Sequence, residues 1–133
     1  MRQIPVDRAH LLAAARAAAE RARPKHSGFR VGAAVLDGQG RTHLGCNVES
    51  DSYGLTICAE RVAIFAALAA GAAELVGLAV SCPDAPPGLG AARMPCGACR
   101  QIIAEYLGTD APILVDGVGE RRPGDLLPDA FSL

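Results

Sequence analysis

The 133-residue sequence is poor in aromatic residues: it contains no tryptophan, two tyrosines and three phenylalanines. It also lacks an uninterrupted apolar run of the roughly 18 residues that a membrane-spanning helix needs, although half of its residues are hydrophobic. The opening segment, Met1–Pro5, has none of the features of a signal peptide. We therefore expect one cytoplasmic domain, residues 1–133, without a membrane-spanning helix.

Charge is nearly balanced over the whole chain, at −1, but it is unevenly distributed. Residues 1–30 contain seven arginines or lysines and two acidic residues, Asp7 and Glu20. Such a basic segment can mark an anionic partner such as a nucleic acid. Because the arginines spread around a predicted helix and only five aromatic residues exist, we expect no nucleic-acid partner and a solvated helix face that carries Arg8, Arg16, Arg21 and Arg23.

Five cysteines, an odd number without a secretory signal, favour metal binding in a reducing compartment over a disulfide framework. Three of them belong to two short motifs, Cys58-Ala59-Glu60 and Pro95-Cys96-Gly97-Ala98-Cys99. The C-x-x-C pattern alone is also typical of a redox pair or of a structural zinc knuckle. A structural zinc site normally has four ligands, but Cys46 and Cys82 lie in apolar runs where we expect buried free thiols. Three cysteines beside a glutamate favour a catalytic zinc site.

Both motifs precede apolar stripes of helical spacing, so each is predicted to begin a helix. Cys96 and Cys99, three residues apart, then share one helix face. Cys58 and Glu60 would point about 200° apart if both were helical, so the metal must lie beyond the helix end, within reach of Glu60. The positive helix ends and Arg61, as a donor to a cysteine sulfur, are candidates to offset the charge of three thiolates.

Hydrophobic periodicity and turn residues predict the secondary structure. The predicted elements are a helix over 7–23, a hairpin of strands 29–36 and 42–48, a helix that begins near Cys58 and is closed by Gly71, a strand over 75–82, a long loop over 83–93, a helix to Leu107, a strand over 112–115, a short strand over 119–122 and a helical turn over 125–127. In the first helix, we expect Asp7 as N-cap and Arg16 paired with Glu20. This order predicts an α/β fold, a three-layer α/β/α sandwich with a mixed five-stranded sheet.

Several segments resemble those of the small, homotetrameric, zinc-dependent cytidine deaminases of the three-cysteine type. The densest are Gly45-Cys46-Asn47-Val48-Glu49, Ser52 to Arg61 and Pro95 to Gln101. Phe29 to Ala34 and Leu126 to Phe131 extend the resemblance over nearly the whole chain. It implies a cytidine deaminase-like fold with strand order 2-1-3-4-5, a zinc cofactor, and hydrolytic deamination at C4 of a cytosine ring in cytidine and deoxycytidine.

The resemblance also implies roles for single residues. Cys58, Cys96 and Cys99 would hold the zinc, and Glu60 would carry protons between water, the ring N3 and the departing amine. The residues implied to bind the nucleoside are Asn47 and Glu49 at the ribose hydroxyls, Phe29 near the sugar and base, the backbone of Tyr53 and Ala59 at the base, and Phe131 from a neighbouring subunit of a homotetramer. We expect nucleosides to be preferred to free cytosine, because Asn47 and Glu49 would lack a partner without the sugar. The three histidines are expected to be solvated and not to bind the metal.

Two stretches depart from the family pattern. Lys25-His26-Ser27-Gly28-Phe29-Arg30 stands where Pro-Tyr-Ser-x-Phe-Pro is usual, and Ser50-Asp51 replaces an asparagine and a small residue. Both stretches border the expected nucleoside pocket, so a modified or antibiotic-type aminopyrimidine nucleoside stays open as the substrate. A noncatalytic zinc-binding or RNA-associated subunit is the alternative from another class, motivated by the basic N-terminal segment; the presence of Glu60 argues against it.

Overall fold

The structure, a computed structural model, describes residues 4–133. Its helices are α1 (Arg8–Ala19), α2 (Ala59–Ala69), α3 (Gly97–Tyr106) and α4 (Pro123–Leu126). Its strands are β1 (Gly32–Asp37), β2 (Thr42–Cys46), β3 (Leu75–Ser81), β4 (Ile113–Val115) and β5 (Gly119–Arg121). Two short 3-10 turns, Tyr53–Leu55 and Gly90–Arg93, precede α2 and α3. No helix in this described range is long and apolar enough to cross a membrane.

The five strands form one mixed sheet in the order β2-β1-β3-β4-β5. β1 pairs antiparallel with both β2 and β3, β3 pairs parallel with β4, and β4 pairs antiparallel with β5. The parallel pair requires a crossover connection, which α3 supplies. The predicted α/β class, the mixed five-stranded sheet and its strand order are confirmed.

Helices cover the sheet on both faces because successive residues of a strand point to opposite sides. In β1, Ala34 packs with Leu11 and Ala15 of α1. The flanking residues Ala33 and Val35 belong instead to the larger cluster, which α2 and α3 share with the sheet. Buried residues that complete this larger cluster include Ile64, Leu78, Ile103 and Ile113. The result is the predicted three-layer arrangement.

Two glycines let the helices approach the sheet closely. A Cβ atom at Gly32 would overlap the backbone of Ala15 and Ala19 in α1, and a Cβ atom at Gly45 would overlap the backbone of Ala59 and Ala63 in α2. Each side of the sheet therefore has one point where backbone packs on backbone. The contact at Gly45 lies under the first turn of α2. It therefore fixes how far the residues that begin this helix lie from the sheet.

The first helix is shorter than predicted, and its charges pair differently. α1 ends at Ala19, with Glu20 as its C-cap; its N-cap is Asp7, as predicted. Arg16 binds Asp116 through two hydrogen bonds of 2.8 and 2.7 Å, whereas Glu20 accepts hydrogen bonds from Arg30. The predicted Arg16–Glu20 pair is wrong because the fold brings Asp116, which follows β4, beside α1.

The basic face of α1 is not solely solvated, which corrects the sequence-based expectation. Arg8 donates two hydrogen bonds to Glu120 of β5, at 2.6 and 3.1 Å, and Arg16 pairs with Asp116 as described above. The positive excess of the first thirty residues thus meets part of the negative excess of the rest of the chain. This internal pairing weakens the argument for an anionic partner.

The hairpin strands are also shorter than predicted, and beyond their ends a side chain adds hydrogen bonds to one backbone bond, from the Asn47 N–H to the Val31 carbonyl at 3.2 Å. Beyond the ends of β1 and β2, the Asn47 Oδ1 accepts from the Val31 N–H and the Asn47 Nδ2 donates to the Phe29 carbonyl, both at 2.8 Å. The Asn47 side chain thus holds residues 29–31 next to the end of β2.

Candidate metal centre and active site

The three thiols of the two motifs meet at the starts of α2 and α3. Cys58 is the N-cap of α2, Cys96 is the N-cap of α3, and Cys99 is buried in the first turn of α3. The Cys58 and Cys96 sulfurs are 3.7 Å apart, and all three sulfurs lie within 4.8 Å of one another. Tetrahedral zinc with bonds of about 2.3 Å places its sulfur ligands about 3.8 Å apart. The cluster therefore fits zinc without rearrangement of either helix.

Both helices direct their positive N-terminal ends at the cluster, which favours thiolates. Without a metal, the charge is concentrated on Cys58, because its hydrogen bond with Cys99, together with burial, raises the pKa of the Cys99 thiol. The Arg61 Nη2 donates to the Cys58 sulfur at 3.5 Å. Hydrogen bonds from Cys99, and then from Arg61 and Cys96, lower the pKa of the Cys58 thiol. Within residues 4–133 the buried Nε of Arg61 has no hydrogen-bond partner, so this guanidinium has a further N–H to offer.

Glu60 lies in the first turn of α2, two residues after Cys58, and is 4% exposed. Burial, assisted by the negative charge of Cys58, raises the pKa of its carboxyl to about 7. A bound dication opposes this shift by favouring the carboxylate. A carboxyl group poised near neutrality can both accept and donate protons, which is the property that general acid-base catalysis needs. The preceding residue, Ala59, is fully buried.

A second set of polar residues makes hydrogen bonds to the segment that contains Phe29. Besides the two bonds of the Asn47 amide, the Glu49 carboxylate accepts from the backbone N–H groups of His26 and Ser27, at 2.8 and 2.9 Å, and from the Ser27 hydroxyl. The Ser27 hydrogen bonds lower the pKa of Glu49. The expectation that Asn47 and Glu49 lack partners without a sugar is therefore wrong, because the loop already supplies them.

Of the aromatic residues of the expected pocket, Phe29 is half-buried and packs against the core cluster that contains Val80, while the other two are largely exposed. Tyr53 is 75% exposed and its ring contacts that of His26 edge-on, with a centroid distance of 5.2 Å. Phe131 is 68% exposed and lines a groove with Ala104 and Tyr106 at the surface of α3, where its carbonyl accepts from Gln101 at 3.1 Å. Within one chain the structure thus brings the thiols and Glu60 together, while Phe131 lies in this groove.

Comparisons with known proteins agree with this geometry. The family model for the cytidine and deoxycytidylate deaminase zinc-binding region matches residues 6–114. The chain belongs to this family. A cytidine deaminase of Mycobacterium tuberculosis is 50% identical over 109 residues, which cover 81% of this chain and 77% of the relative. One from Halalkalibacterium halodurans is 40% identical over 131 residues, covering 96% of both chains.

Solved structures of the family share the fold. The crystal structure of cytidine deaminase from Mycobacterium tuberculosis superposes with a TM-score of 0.83 at 44% identity, covering 97% of this chain and 100% of the other. As a member of the deaminase family the chain is an enzyme of the zinc-binding type, and its three-cysteine cluster is able to hold the metal ion. The predicted zinc cofactor and the resemblance to cytidine deaminases are confirmed.

Outside the thiol cluster, the deaminase contains features that sequence reasoning missed. Ser27 links Glu49 to the loop before β1. The only sequence signal for this role was the position of Ser27 two residues before Phe29. Arg93 donates to the carbonyls of Cys82 and Ala85 and so joins the end of the long loop after β3 to its beginning. His43 is half-buried and bonds to the buried carboxylate of Asp37 at 2.9 Å, so the expectation that it is solvated is wrong.

Proposed function

We propose that this deaminase converts cytidine and 2′-deoxycytidine to uridine and 2′-deoxyuridine by hydrolysis, with release of ammonia. The observation that carries the proposal is the cluster of Cys58, Cys96 and Cys99 with the buried carboxyl of Glu60 beside it. The relatives named cytidine deaminase, at 40 to 50% identity over most of the chain, support the choice of a cytosine nucleoside.

In this proposal Cys58, Cys96 and Cys99 hold the zinc through their thiolates. When bound, zinc supplies Lewis acidity, which lowers the pKa of a coordinated water from about 15.7 toward about 7. Arg61 keeps the Cys58 sulfur in place and offsets the charge of the three thiolates by its hydrogen bond to that sulfur. The N-terminal dipoles of α2 and α3 act in the same direction.

Glu60 carries the protons of the reaction. Its carboxylate accepts a proton from the attacking water and delivers it to ring N3, which makes C4 electrophilic; it then transfers the second water proton to the departing amine. The oxygen of the water stays on C4, and the amine leaves as ammonia. Burial raises the pKa of the Glu60 carboxyl above its ordinary value, which favours the return of a proton from this group to the amine.

The remaining assigned residues orient the nucleoside. Asn47 and Glu49 bind the sugar with a preference for the 3′ hydroxyl, Phe29 packs beside the sugar and base, and the backbone of Tyr53 and Ala59 contacts the base. Asn47 is nine-tenths buried, and each of its amide atoms keeps one hydrogen-bonding position after its contacts to Phe29 and Val31.

The complete enzyme in this proposal is a cytoplasmic homotetramer of single-domain chains with shared active sites. Phe131 of one chain stacks on the base bound by a neighbouring chain. The apolar residues exposed on a single chain support an assembly; they include Leu44, Tyr53, Leu55, Phe65, Tyr106 and Phe131.

An ultraviolet assay of the zinc-loaded protein tests the reaction. Cytidine and deoxycytidine should be deaminated, while adenosine should not react. Cytosine should react more slowly than cytidine, because the free base lacks the sugar contacts. Deoxycytidylate and modified aminopyrimidine nucleosides belong in the same assay. If one of them is turned over faster than cytidine and deoxycytidine, that compound becomes the assigned substrate. Absence of deamination with every one of these compounds would overturn the enzymatic proposal.

Metal analysis tests the ligands separately. Cys58→Ala should lose most of the zinc, because only two thiolates remain to bind it. Cys46→Ala is the matched control, since Cys46 lies at the end of β2, where its thiol donates to the Arg21 carbonyl. If Cys46→Ala lost as much zinc as Cys58→Ala, the ligand assignment would be wrong.

A further inference from the structure

The Ser27 hydroxyl joins two residues that the proposed function places at the nucleoside. It donates to the Oε2 of Glu49 and accepts from the backbone N–H of Phe29 at 3.0 Å. Ser27 itself is exposed, and Glu49 is half-buried. The hydroxyl therefore connects Glu49, which is assigned to the sugar, with Phe29, which is assigned to the side of the pocket next to the sugar and base.

The two oxygens of Glu49 are held in different ways. Oε1 accepts the backbone N–H groups of His26 and Ser27, which Ser27→Ala leaves in place. Oε2 is held by the Ser27 hydroxyl. The terminal torsion of a glutamate is broad and roughly two-fold, so fixing one oxygen leaves the carboxylate plane free to turn. The hydroxyl thus fixes the orientation of the group and not its position.

The loop that carries Ser27 is held by other contacts as well. The Asp51 carboxylate accepts from the Lys25 ammonium at 2.9 Å and lies 3.1 Å from the His26 Nε2. The Gly28 N–H donates to the Pro24 carbonyl, and the Asn47 side chain holds the Phe29 carbonyl. Removal of one hydroxyl from this loop should therefore leave its fold intact.

We propose that Ser27 is a positioning residue that orients the Glu49 carboxylate toward the 3′ hydroxyl of the nucleoside sugar. The inference rests on the proposed function, because it needs Glu49 at the sugar. It assigns to Ser27 the discrimination between nucleosides that have a 3′ hydroxyl and those that lack it. Ser27 acts through Glu49 and has no part in proton transfer.

Calorimetric binding of uridine and 3′-deoxyuridine to the zinc-loaded protein tests this proposal without turnover. Ser27→Ala should weaken uridine binding about three- to ten-fold, since a misoriented carboxylate loses part of a charged hydrogen bond. The affinity for 3′-deoxyuridine should change less than about two-fold, because this nucleoside offers no 3′ hydroxyl to misalign. In the deamination of cytidine, KM should rise by the same factor as the uridine dissociation constant while kcat stays unchanged.

Three further variants separate orientation from general loop damage. Ser27→Thr keeps the hydroxyl and should bind uridine like the wild type. Ser52→Ala removes a hydroxyl that makes no capping bond to the turn after it and should have no effect. In a Glu49→Gln background, Ser27→Ala should cause no additional loss, because its effect passes through the carboxylate.

Equal weakening of both nucleosides by Ser27→Ala would contradict the inference, since the residue would then act on the whole loop. A wild type that deaminates cytidine, combined with an unchanged uridine affinity in Ser27→Ala, would overturn the inference and leave the proposed function intact. A wild type that neither deaminates cytidine nor binds either nucleoside would overturn both.

Discussion

At the residue scale, two buried carboxyl groups show how hydrogen-bond donors decide the effect of burial. Asp37 and Glu60 are 1% and 4% exposed. Burial alone raises the pKa of a carboxyl, and it does so for Glu60, whose pKa is about 7. In Asp37 the same desolvation is outweighed by hydrogen bonds from His43, Gln39 and Arg41, which bring the pKa to about 2. Glu60 therefore suits proton transfer, whereas Asp37 is a permanent anion in the β1–β2 turn.

Replacement of Asp37 should therefore destabilise the fold in a pH-dependent way. The pKa of the folded group lies below its ordinary value of 3.8, so its contribution is fully present above about pH 4 and is lost as the pH falls toward 2. At pH 7, Asp37→Asn should cost about 1 to 2 kcal/mol in the free energy of unfolding, allowing for solvent around Arg41. Urea unfolding at several pH values measures this difference.

The exposed Asp110 supplies the control for this series. Asp110→Asn should change the free energy of unfolding by less than about 0.5 kcal/mol at every pH, because its side chain is 90% exposed. A difference between Asp37→Asn and the wild type that stays constant from pH 7 to pH 2.5 would show that the charge of Asp37 is not what stabilises the turn.

At the element scale, the start of α2 is the part of the molecule that the chemistry depends on most. Cys58, Ala59, Glu60 and Arg61 occupy its cap and first turn. Gly45 of β2 sets the distance between this turn and the sheet, because any side chain there would overlap the backbone of Ala59 and Ala63. The position of the thiol and of the carboxyl is thus fixed by a strand on which neither of them lies.

Gly45→Ala should push α2 away from the sheet. Overpacking of this kind costs about 1 to 3 kcal/mol, and the displaced Cys58 should bind zinc more weakly. Gly124→Ala is the matched control, since a Cβ atom at Gly124 has no neighbour within 4 Å and Gly124 lies in α4. Denaturant unfolding and competition with a zinc chelator measure the two effects. Unchanged stability and zinc affinity in Gly45→Ala would contradict the close-packing account.

Sequence reasoning located the element starts near the metal better than the element ends. Cys58 and Cys96 lie at helix starts, as the apolar stripes that follow them predict, since such a stripe is a local signal in the sequence. The end of α1 and the partners of Arg16 could not be predicted, because Asp116 lies one hundred residues away. The side-chain hydrogen bonds of Asn47 to Val31 and Phe29 likewise depend on how two strand ends meet in space.

At the scale of the whole molecule, a single chain leaves one aromatic residue assigned to the nucleoside at its surface. Phe131 is 68% exposed near the end of the chain, and further apolar side chains such as Leu55 are also exposed. In the proposed assembly, such a residue can reach the site of a neighbouring chain. The proposal of shared active sites in a homotetramer therefore predicts complementation between chains that carry different defects.

Mixed assemblies test this prediction. Phe131→Ala chains should bind nucleoside more weakly but keep their zinc, and Glu60→Gln chains should keep zinc but lose proton transfer. Refolded together, they should recover sites that combine Glu60 of one chain with Phe131 of another, with kcat/KM above the average of the two parents. A monomer by light scattering, or mixtures whose activity equals the average of the parents, would show that the sites are not shared.

The most direct test of the account is the zinc content and the cytidine deamination rate of Glu60→Gln. The amide is nearly isosteric with the carboxyl and cannot carry protons, whereas the three thiols remain in place. We predict one zinc per chain and a rate at least about 100-fold below that of the wild type, with the exposed Glu74→Gln as an unaffected control. A Glu60→Gln protein that keeps its zinc and more than about a tenth of the wild-type rate would contradict the assignment of Glu60 as the proton carrier.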